Sequence, residues 1–254
     1  MVFWASLEYD SDIMDTKGHI HPATQLIREV TTIFNELGFN IATGPELEVE
    51  YYNFDALNIP KDHPSRDMQD TFWIKTSKPV TDPRQRQLLT TQTSAIQIRY
   101  MEEMLKKGIQ PPYKIIAPGK VYRNEATDAT HEVQFHQVEA LLVNKTTNLA
   151  ELKGTLEYAF KKLFGDDVII RFRPSYFPFV EPGVEVDMKW KDKWLEVAGA
   201  GMVHPNVLSA VGLNPEEWRG FAFAFGLDRL IMLKYGIDDI RNLYNGDMRF
   251  VEQF

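Results

Sequence analysis

The stretch YKIIAPGKVYRNEATDATHEVQFHQVEALLVN, residues 113–144, decides the fold class. Two runs rich in β-branched and aromatic residues flank the polar segment NEATDATHE, a pattern typical of two antiparallel strands joined by a long loop. Helical patterns occur before, between and after this hairpin and the later strand patterns, without regular alternation of strand and helix. The sequence therefore predicts an α+β fold, in which an antiparallel β-sheet is flanked by helices.

Local end signals mark three of the helices. Apolar residues recur at helical spacing after His21 and stop at Gly38, which predicts a helix of about four turns. A second helix is predicted in TSAIQIRYMEEMLKKG, with Thr93 or Ser94 as its cap. A third follows Asn148, whose side chain is suited to capping.

Further strands extend the predicted sheet on both sides of the hairpin. A short strand is predicted in DTFWIK, residues 70–75, and GFAFAF, residues 220–225, reads as another. The segment EVDMKWKDKWLEVAGAG predicts a second hairpin that turns near Lys191 and Asp192.

The segment FRPSYFPFVEP, residues 172–182, is unusual because it contains four aromatic rings and three prolines. In an extended chain Phe177 and Phe179 point to the same side, and the intervening Pro178 stiffens their spacing. An edge strand that buries its rings in the core and the wall of an apolar pocket both explain this pattern. The segment alone leaves the two interpretations open.

The composition indicates a globular chain. Its 254 residues are 44% hydrophobic, and 28 basic against 36 acidic residues give a formal charge of −8, which argues against binding nucleic acid mainly through the overall field. The absence of cysteine excludes disulfides and thiolate metal sites. No run approaches the roughly 18 apolar residues that a membrane helix needs, so a cytoplasmic location is expected. Residues 1–17 are predicted to be a tail or linker remnant.

The first hairpin carries residues suited to binding. Arg123 and Glu125 stand at positions i and i+2, where an arginine that grips phosphate or a surface ion pair are both reasonable interpretations. Phe135, Gln137 and Glu139 are predicted to share one face of the returning strand. Burying the two polar side chains there is costly unless a ligand or partner satisfies them. That cost is the first indication of a binding site.

A second candidate site lies where the last strand gives way to a helix. The order Gly226 to Arg229 places backbone N–H groups, a helix N-terminus and a guanidinium close together, which suits an anion, although an arginine facing solvent would look the same. GAGMVH, from Gly199, is neither a dinucleotide fingerprint nor a phosphate loop. The segment HEVQFH, from His131, is similar to the H-E-x-x-H pattern of zinc-binding helices, but its two histidines are five residues apart instead of four. It also falls in a predicted hairpin, so it does not indicate a zinc site.

Longer motifs resemble those of bacterial phenylalanyl-tRNA synthetase α subunits, a family of class II aminoacyl-tRNA synthetases. The His-Pro pair at 21–22 with its helix, followed by Gly-Pro at 44–45, resembles motif 1. VYRNEATDATHEVQFHQVEA resembles motif 2, and GFAFAFGLDRL resembles motif 3. YYNFDALNIP, HPSRDMQDTFW, RFRPSYFPFVEP and GMVHPNVL are similar to further signatures of the family. The resemblance implies a class II synthetase catalytic core over residues 18–254.

The resemblance implies a ligase that activates phenylalanine with ATP and Mg²⁺ and transfers it to tRNA(Phe). Arg123 and Arg229 are then the catalytic residues, which bind the phosphates and stabilise developing charge. The implied ATP-binding residues are Arg123, Glu125, His131, Phe135 and Arg229. Among them, His131 lies over the phosphates and Phe135 stacks on adenine. Glu196 is the implied magnesium ligand.

The same resemblance implies an amino-acid site with a polar and an apolar end. Its residues are Gln92, Ser94, Gln137, Glu139, Phe177, Phe179, Val180, Gly199 and Ala222. Gln137 and Glu139 receive the substrate ammonium, whose hydrogen bonds would compensate the free energy lost by burying these two polar side chains. The two phenylalanines pack edge-on against the substrate's phenyl ring, and Val180 and Ala222 close the far end.

The chain departs from the family pattern at several positions. Gln92 stands where histidine is usual, so a neutral side chain replaces a titratable one. Ala140 and Ala224 stand where glycine is common, which predicts a narrower approach of the backbone to the ligand. The family's N-terminal coiled coil is absent from this sequence, so contacts with tRNA(Phe) are expected mostly through other chains or segments.

The resemblance also implies assembly with a β subunit as an α2β2 heterotetramer. Two other functions stay open at this point. One is a stand-alone class II paralogue that activates an amino acid for a non-tRNA acceptor. The other is a non-catalytic interaction subunit, against which the intact Arg123, Glu139 and Arg229 argue.

Overall fold

A computed structural model describes residues 18–66 and 70–254, so the predicted tail at 1–17 lies outside the described residues. In this part of the chain the helices are α1 (Pro22–Glu36), α2 (Glu50–Asn53), α3 (Ala95–Lys106), α4 (Leu149–Phe164), α5 (Pro205–Ala210), α6 (Leu227–Tyr235) and α7 (Met248–Val251). The strands are β1 (Asn40–Ile41), β2 (Leu47–Val49), β3 (Gln87–Leu89), β4 (Tyr113–Tyr122), β5 (Gln134–Asn144), β6 (Ile170–Phe177), β7 (Val180–Trp190), β8 (Lys193–Val203) and β9 (Arg219–Gly226). Short 3₁₀ helices occupy Asp55–Leu57, Pro64–Arg66 and Ile240–Leu243. None of the described helices is long and apolar enough to cross a membrane.

Seven strands form one sheet in the order β1-β4-β5-β9-β8-β7-β6, and β2 pairs with β3 in a separate small sheet. β1 is parallel to β4, and every other pair of neighbours in the large sheet is antiparallel. The predicted hairpin at 113–144 is β4 and β5, and the second predicted hairpin is β7 and β8. The predicted α+β class with an antiparallel sheet is confirmed.

The two faces of the sheet are covered differently. Helices α1, α4 and α6 cover one face over its length, with Phe34, Phe160 and Phe223 in the shared core. The opposite face packs at one end against α3 and α5, through residues such as Ile98 and Leu208.

The predicted helix ends are largely confirmed, because they depend on neighbouring residues alone. The His21 ring accepts the Ala23 N–H at the start of α1, and Asn148 accepts two backbone N–H groups at the start of α4. Gly38 follows α1 with φ of +79°, a conformation that favours glycine. Ser94 does occupy the cap position of α3, but its side chain makes no capping hydrogen bond and reaches Glu139 instead.

The predicted strand at 70–75 is wrong. Trp73 makes a single bridge to Leu88, with hydrogen bonds on either side from Leu89 to Phe72 and from Ile74 to Gln87. The true strand of this region is β3, which is only three residues long and pairs with β2 along its whole length. Because β3 is only three residues long, it offers the segment 70–75 too few backbone groups to form a continuous strand beside it.

The extended Phe-Pro-Phe geometry is also wrong, although the segment does end the edge strand of the sheet. Phe177 is the last residue of β6 and pairs with Val180, the first of β7, so Pro178 and Phe179 form the turn between them. Proline suits this position because its φ is preset and it has no N–H to place. The rings of Phe177 and Phe179 therefore come together across a turn, and not along one face of an extended strand.

Candidate active site

A line of directly opposed residues crosses the sheet on the face away from α1, α4 and α6. It runs through Ala117, Glu139, Ala224, Gly199, Glu185 and Arg173. The centre of the line consists of small residues, so β8 and β9 offer a floor with little side-chain bulk between Glu139 and Glu185. Phe135 and Gln137 lie on the same face by register, as the sequence predicted.

Glu139 is buried on this face, with 2% of its surface exposed. The Ser94 hydroxyl donates to one carboxyl oxygen at 2.8 Å, the Thr93 hydroxyl donates to the same oxygen at 3.3 Å, and the Gln97 amide donates to the other. Burial raises the pKa of Glu139 to about 8, although the three hydrogen bonds act to lower it. Once it is ionised, the carboxylate offers about four acceptor positions, so these donors leave one for a further donor.

Both polar residues of β5 have hydrogen-bond partners within the protein, so the cost of burying them does not by itself require a ligand. Gln137 accepts the backbone N–H of Thr93 at 3.0 Å, and at 3.2 Å it shares the single hydroxyl hydrogen of Thr93 with Glu139. Thr93 and Gln97 were not among the predicted site residues. The signal for Gln97 was a polar side chain on the apolar face of α3, three residues after Ser94.

The raised pKa of Glu139 predicts a pH-dependent stability. Its folded value, about 8, lies above the ordinary 4.5, so between those values the folded protein holds a proton that the unfolded chain releases. The stabilising contribution is therefore fully present below the ordinary value and is lost as the pH rises through the folded one. Across this interval, the free energy of unfolding of the wild type minus that of Glu139→Gln is expected to fall by up to roughly 1 kcal/mol for each unit that the pH rises. Urea unfolding of both proteins across this interval tests it, and a pH-independent difference would contradict it.

The apolar end of the site contains a stacked pair of rings. The centroids of Phe177 and Phe179 are 6.0 Å apart with 20° between the ring planes. A β-carbon at Gly199 would lie 3.1 Å from the Phe177 ring, so glycine lets this ring lie close to β8. Val180 and Ala222 are buried in the same apolar cluster against which the two rings pack.

A cavity of about 380 Å³ opens beside the two rings. Its lining includes Gln92, Arg123, Glu125, Phe177 and Phe179. The Gln92 amide donates to the carbonyl of Asn53 at 3.0 Å, so its orientation is fixed by a neutral hydrogen bond. The cavity therefore joins three of the predicted amino-acid-binding residues to two of the predicted ATP-binding residues.

Arg123 lies where this cavity meets a larger one of about 760 Å³. Its guanidinium carbon is 5.1 Å from the centroid of the Phe135 ring, and its Nε donates to the carbonyl of Thr91 at 3.3 Å. Burial lowers the pKa of Arg123, and the charges of Glu125 and Asp70 act against that effect. Within residues 18–66 and 70–254 no carboxylate is close enough to form a salt bridge with it. A partly buried guanidinium without an ion pair is prepared for an anion.

The larger cavity contains the second candidate anion site. Arg229 lies in the first turn of α6, directly after β9, and is exposed with no salt bridge to any described carboxylate. His131, at the tip of the β4–β5 loop, lies 3.0 Å from a carboxyl oxygen of Asp128. The Thr130 backbone N–H and the His131 ring hold the pKa of Asp128 well below its usual range. His131, Phe135 and Arg229 line this one cavity.

Glu196 is exposed on the same face of the sheet, opposite Asp187 in register. Asp187 is already bound by Arg171 at 2.9 Å and Arg173 at 2.6 Å. The described residues contain no group of three His, Cys, Asp or Glu side chains placed to hold a metal ion. Mg²⁺ bound with a nucleotide commonly takes only one or two carboxylates beside phosphate oxygens and water. An exposed single carboxylate is the right kind of ligand for that mode of binding, but Glu196 follows Leu195, which lines the larger cavity, and does not line the cavity itself.

The structure separates the two alanine departures from each other. Ala224 lies on the site face, between Glu139 and Gly199, as expected. Ala140 pairs with Phe223 and is buried in the core under the helices. The expectation that Ala140 narrows the ligand site is therefore wrong, because successive residues of a strand point to opposite faces.

Comparison with known proteins identifies this arrangement. The model of the tRNA synthetases class II core domain (F) matches residues 8–254. A phenylalanine–tRNA ligase alpha subunit of Synechocystis sp. is 52% identical over 238 residues, which are 94% of this chain and 68% of that protein. The chain belongs to the phenylalanine–tRNA ligase alpha subunit family. Its members are class II aminoacyl-tRNA synthetases, so the predicted family, enzyme class and fold are confirmed.

Other relatives agree with this membership. The phenylalanine–tRNA ligase alpha subunit of Proteus mirabilis is also 52% identical, over 93% of this chain and 68% of that protein. The solved structure of pyrrolysyl-tRNA synthetase from Desulfitobacterium hafniense superposes with a TM-score of 0.68 at 16% identity, covering 88% of this chain and 73% of that one. That likeness shows a shared class II fold. The relatives favour a catalytic alpha subunit over a paralogue or a non-catalytic subunit.

Proposed function

We propose that residues 18–254 form one catalytic domain that converts phenylalanine and ATP into phenylalanyl-adenylate and transfers the phenylalanyl group to tRNA(Phe). The observation that carries the proposal is the position of Arg123 at the junction of two cavities. One cavity contains the stacked phenylalanine pair, and the other contains Arg229 and Phe135. An amino-acid carboxylate and an α-phosphate would meet at this junction.

The chemistry of activation suits these residues because it requires no protein nucleophile. A carboxylate oxygen of phenylalanine attacks the α-phosphorus, the bond to the bridging oxygen breaks, and pyrophosphate leaves. Arg123 and Arg229 stabilise the charge on the phosphate oxygens, while Phe135 stacks on adenine and His131 covers the phosphates. Glu125 lines both cavities beside Arg123 and completes the proposed ATP site. Positioning and electrostatics thus account for the rate.

Recognition of phenylalanine uses the two ends of the amino-acid site. The substrate ammonium takes the remaining acceptor position of Glu139, next to Gln137 and Ser94. The phenyl ring packs against the pair Phe177 and Phe179 above Gly199, with Val180 and Ala222 at the closed end and Gln92 near the mouth. Glu139 would lose its proton as the ammonium binds, since the positive charge favours the carboxylate.

Magnesium, which this class of enzyme brings with ATP, would be held at Glu196 and by the nucleotide's own oxygens. When bound, it neutralises phosphate charge. The protein residues hold and orient the two substrates.

The size of the pocket is expected to depend on the methyl group of Ala222. Ala222→Gly would free space at the closed end, so kcat/KM for para-chlorophenylalanine relative to phenylalanine should rise by about tenfold. Ala140→Gly is a matched control, because it removes the same methyl from the opposite face of the sheet. Equal ratios in the two variants would exclude Ala222 as the specificity residue.

The proposed partners are tRNA(Phe) and a β subunit, in an α2β2 heterotetramer that works in the cytoplasm. The alpha-subunit names of the relatives support this assignment. Charging of tRNA(Phe) with labelled phenylalanine, by this chain with and without a cognate β subunit, tests it. Charging that appears only with the β subunit, or with the chain alone, supports the ligase function. Formation of the adenylate without charging in either sample would favour another acceptor.

A further inference from the structure

The backbone N–H of His136 is bound by a side chain instead of a strand. β9 ends at Gly226, which pairs with Gln137, whereas β5 continues to Gln134 without a β9 partner. The carboxylate of Asp228, in the first turn of α6, accepts the His136 N–H at this position. Asp228 is 2% exposed, so this contact is shielded from water.

Tyr244 holds the other oxygen of the same carboxylate. Its hydroxyl donates to Asp228 Oδ1 at 2.5 Å, and its ring stacks on the His136 ring with centroids 6.2 Å apart and 8° between the planes. The hydroxyl has one hydrogen, so His136 donates from Nδ1 to its oxygen at 3.0 Å. Burial and the adjacent Asp228 raise the pKa of Tyr244, which keeps this hydroxyl a donor.

The segment that carries Tyr244 is itself anchored at two places. The Ile240 N–H donates to the carbonyl of Ala129 in the β4–β5 loop at 2.9 Å. His21 Nε2, at the start of α1, lies 3.0 Å from the carbonyl oxygen of Leu243. Tyr244 is therefore a fixed point against which Asp228 can be held.

The two backbone positions that this carboxylate joins are next to residues of the proposed ATP site. His136 follows Phe135, and Asp228 precedes Arg229, while Phe135 and Arg229 both line the larger cavity. We propose that Asp228 and Tyr244 are positioning residues that set the separation between Phe135 and Arg229, and with it the fit of ATP between the ring that stacks on adenine and the guanidinium that binds the phosphates. The inference rests on the proposed function of that cavity as the ATP site. Asp228 also lines the larger cavity, but its two carboxylate oxygens are taken by the His136 N–H and the Tyr244 hydroxyl, so its proposed role is to position its neighbours and not to bind the nucleotide.

The test compares two tyrosine variants that each lose one hydroxyl. Tyr244→Phe keeps the ring stacked on His136 and removes the bond to Asp228. Tyr235→Phe is the control, because Tyr235 is the last residue of α6 and, among the described residues, its hydroxyl makes only a 3.5 Å contact, with Gln25. Tyr244→Phe is expected to raise KM and Kd for ATP by about tenfold, with kcat and KM for phenylalanine within about twofold of wild type. Tyr235→Phe is expected to leave all four values unchanged.

A second pair of variants separates positioning from a general loss of structure. Asp228→Asn keeps an acceptor oxygen for the His136 N–H, whereas Asp228→Ala removes it, so asparagine should recover much of the ATP affinity that alanine loses. Hydrogen exchange of the peptide over 134–138 should accelerate in Asp228→Ala and stay near wild type in Asp228→Asn. This exchange measurement does not require activity.

The outcomes distinguish the positioning role from the proposed function. The measurements use the full chain, with a β subunit where activity needs one. The positioning role would be overturned, with the ligase function intact, if Tyr244→Phe left the affinity for ATP unchanged. It would also be overturned if kcat and the affinity for phenylalanine fell as much as the affinity for ATP in all variants. Failure of the wild-type protein to bind ATP would overturn the ATP site and the positioning role together.

Discussion

Replacing Arg229 with alanine is expected to lower kcat for phenylalanine-dependent pyrophosphate exchange by about 10³-fold and to raise KM for ATP. The side chain is exposed in the larger cavity and pairs with no described carboxylate, so its charge is available to the phosphates. Alanine would leave the charge that develops on the leaving pyrophosphate without this partner. The loss should therefore appear in kcat as well as in nucleotide affinity.

The matched control for this substitution is Arg249→Ala. Arg249 is also near the C-terminus, but it is exposed and paired with Asp247 at 2.6 Å, away from the cavity. The substitution Arg249→Ala removes the same unit of charge, and the rate of pyrophosphate exchange should stay within about twofold of wild type. If Arg229→Ala also remained within a few-fold of wild type, the assignment of this cavity to ATP phosphates would be wrong.

The second large effect is expected from Glu139→Gln. The variant keeps the size of the side chain, and its single carbonyl oxygen can accept from Gln97 while its amide N–H donates to the Ser94 hydroxyl. It carries no charge for the substrate ammonium. kcat/KM for phenylalanine should fall by about 10²-fold, mainly through KM, since a hydrogen bond between charged groups is lost. KM for ATP should change little, because Glu139 does not line the larger cavity.

A substrate analogue without the amino group isolates this interaction. The inhibition constant of 3-phenylpropanoate should be the same in wild type and in Glu139→Gln, because this molecule has no ammonium to lose. A parallel weakening of phenylalanine and 3-phenylpropanoate would show that the substitution damages the pocket in general. In that case Glu139 would not be the ammonium receptor.

The parts of the fold that depend on neighbouring residues were predictable from the sequence. Asn148 caps a helix through contacts two or three residues away, as predicted, and Gly38 ends a helix through its own conformation. Alternation along β5 correctly placed Phe135 and Glu139 on one face. These outcomes follow from the periodicity of 2 in a strand and from local capping.

The parts that depend on distant residues were not predictable in this way. Ser94 has the sequence signal of a cap, but its hydroxyl binds Glu139, which lies 45 residues later in the chain. Only the packing of α3 against the sheet determines that choice. Asp228 is a similar case, because its role follows from β9 ending before β5 does. The family resemblance supplied the candidate site residues, and the structure showed that Arg123 joins the two cavities.

Exchange of labelled pyrophosphate into ATP by the purified chain, with and without a cognate β subunit, tests the central claim most directly. We expect exchange that depends on L-phenylalanine in at least the assembled sample, and that falls sharply in Arg229→Ala and in Glu139→Gln. Exchange that is absent from both samples, while ATP still binds, would contradict the claim that this chain activates phenylalanine.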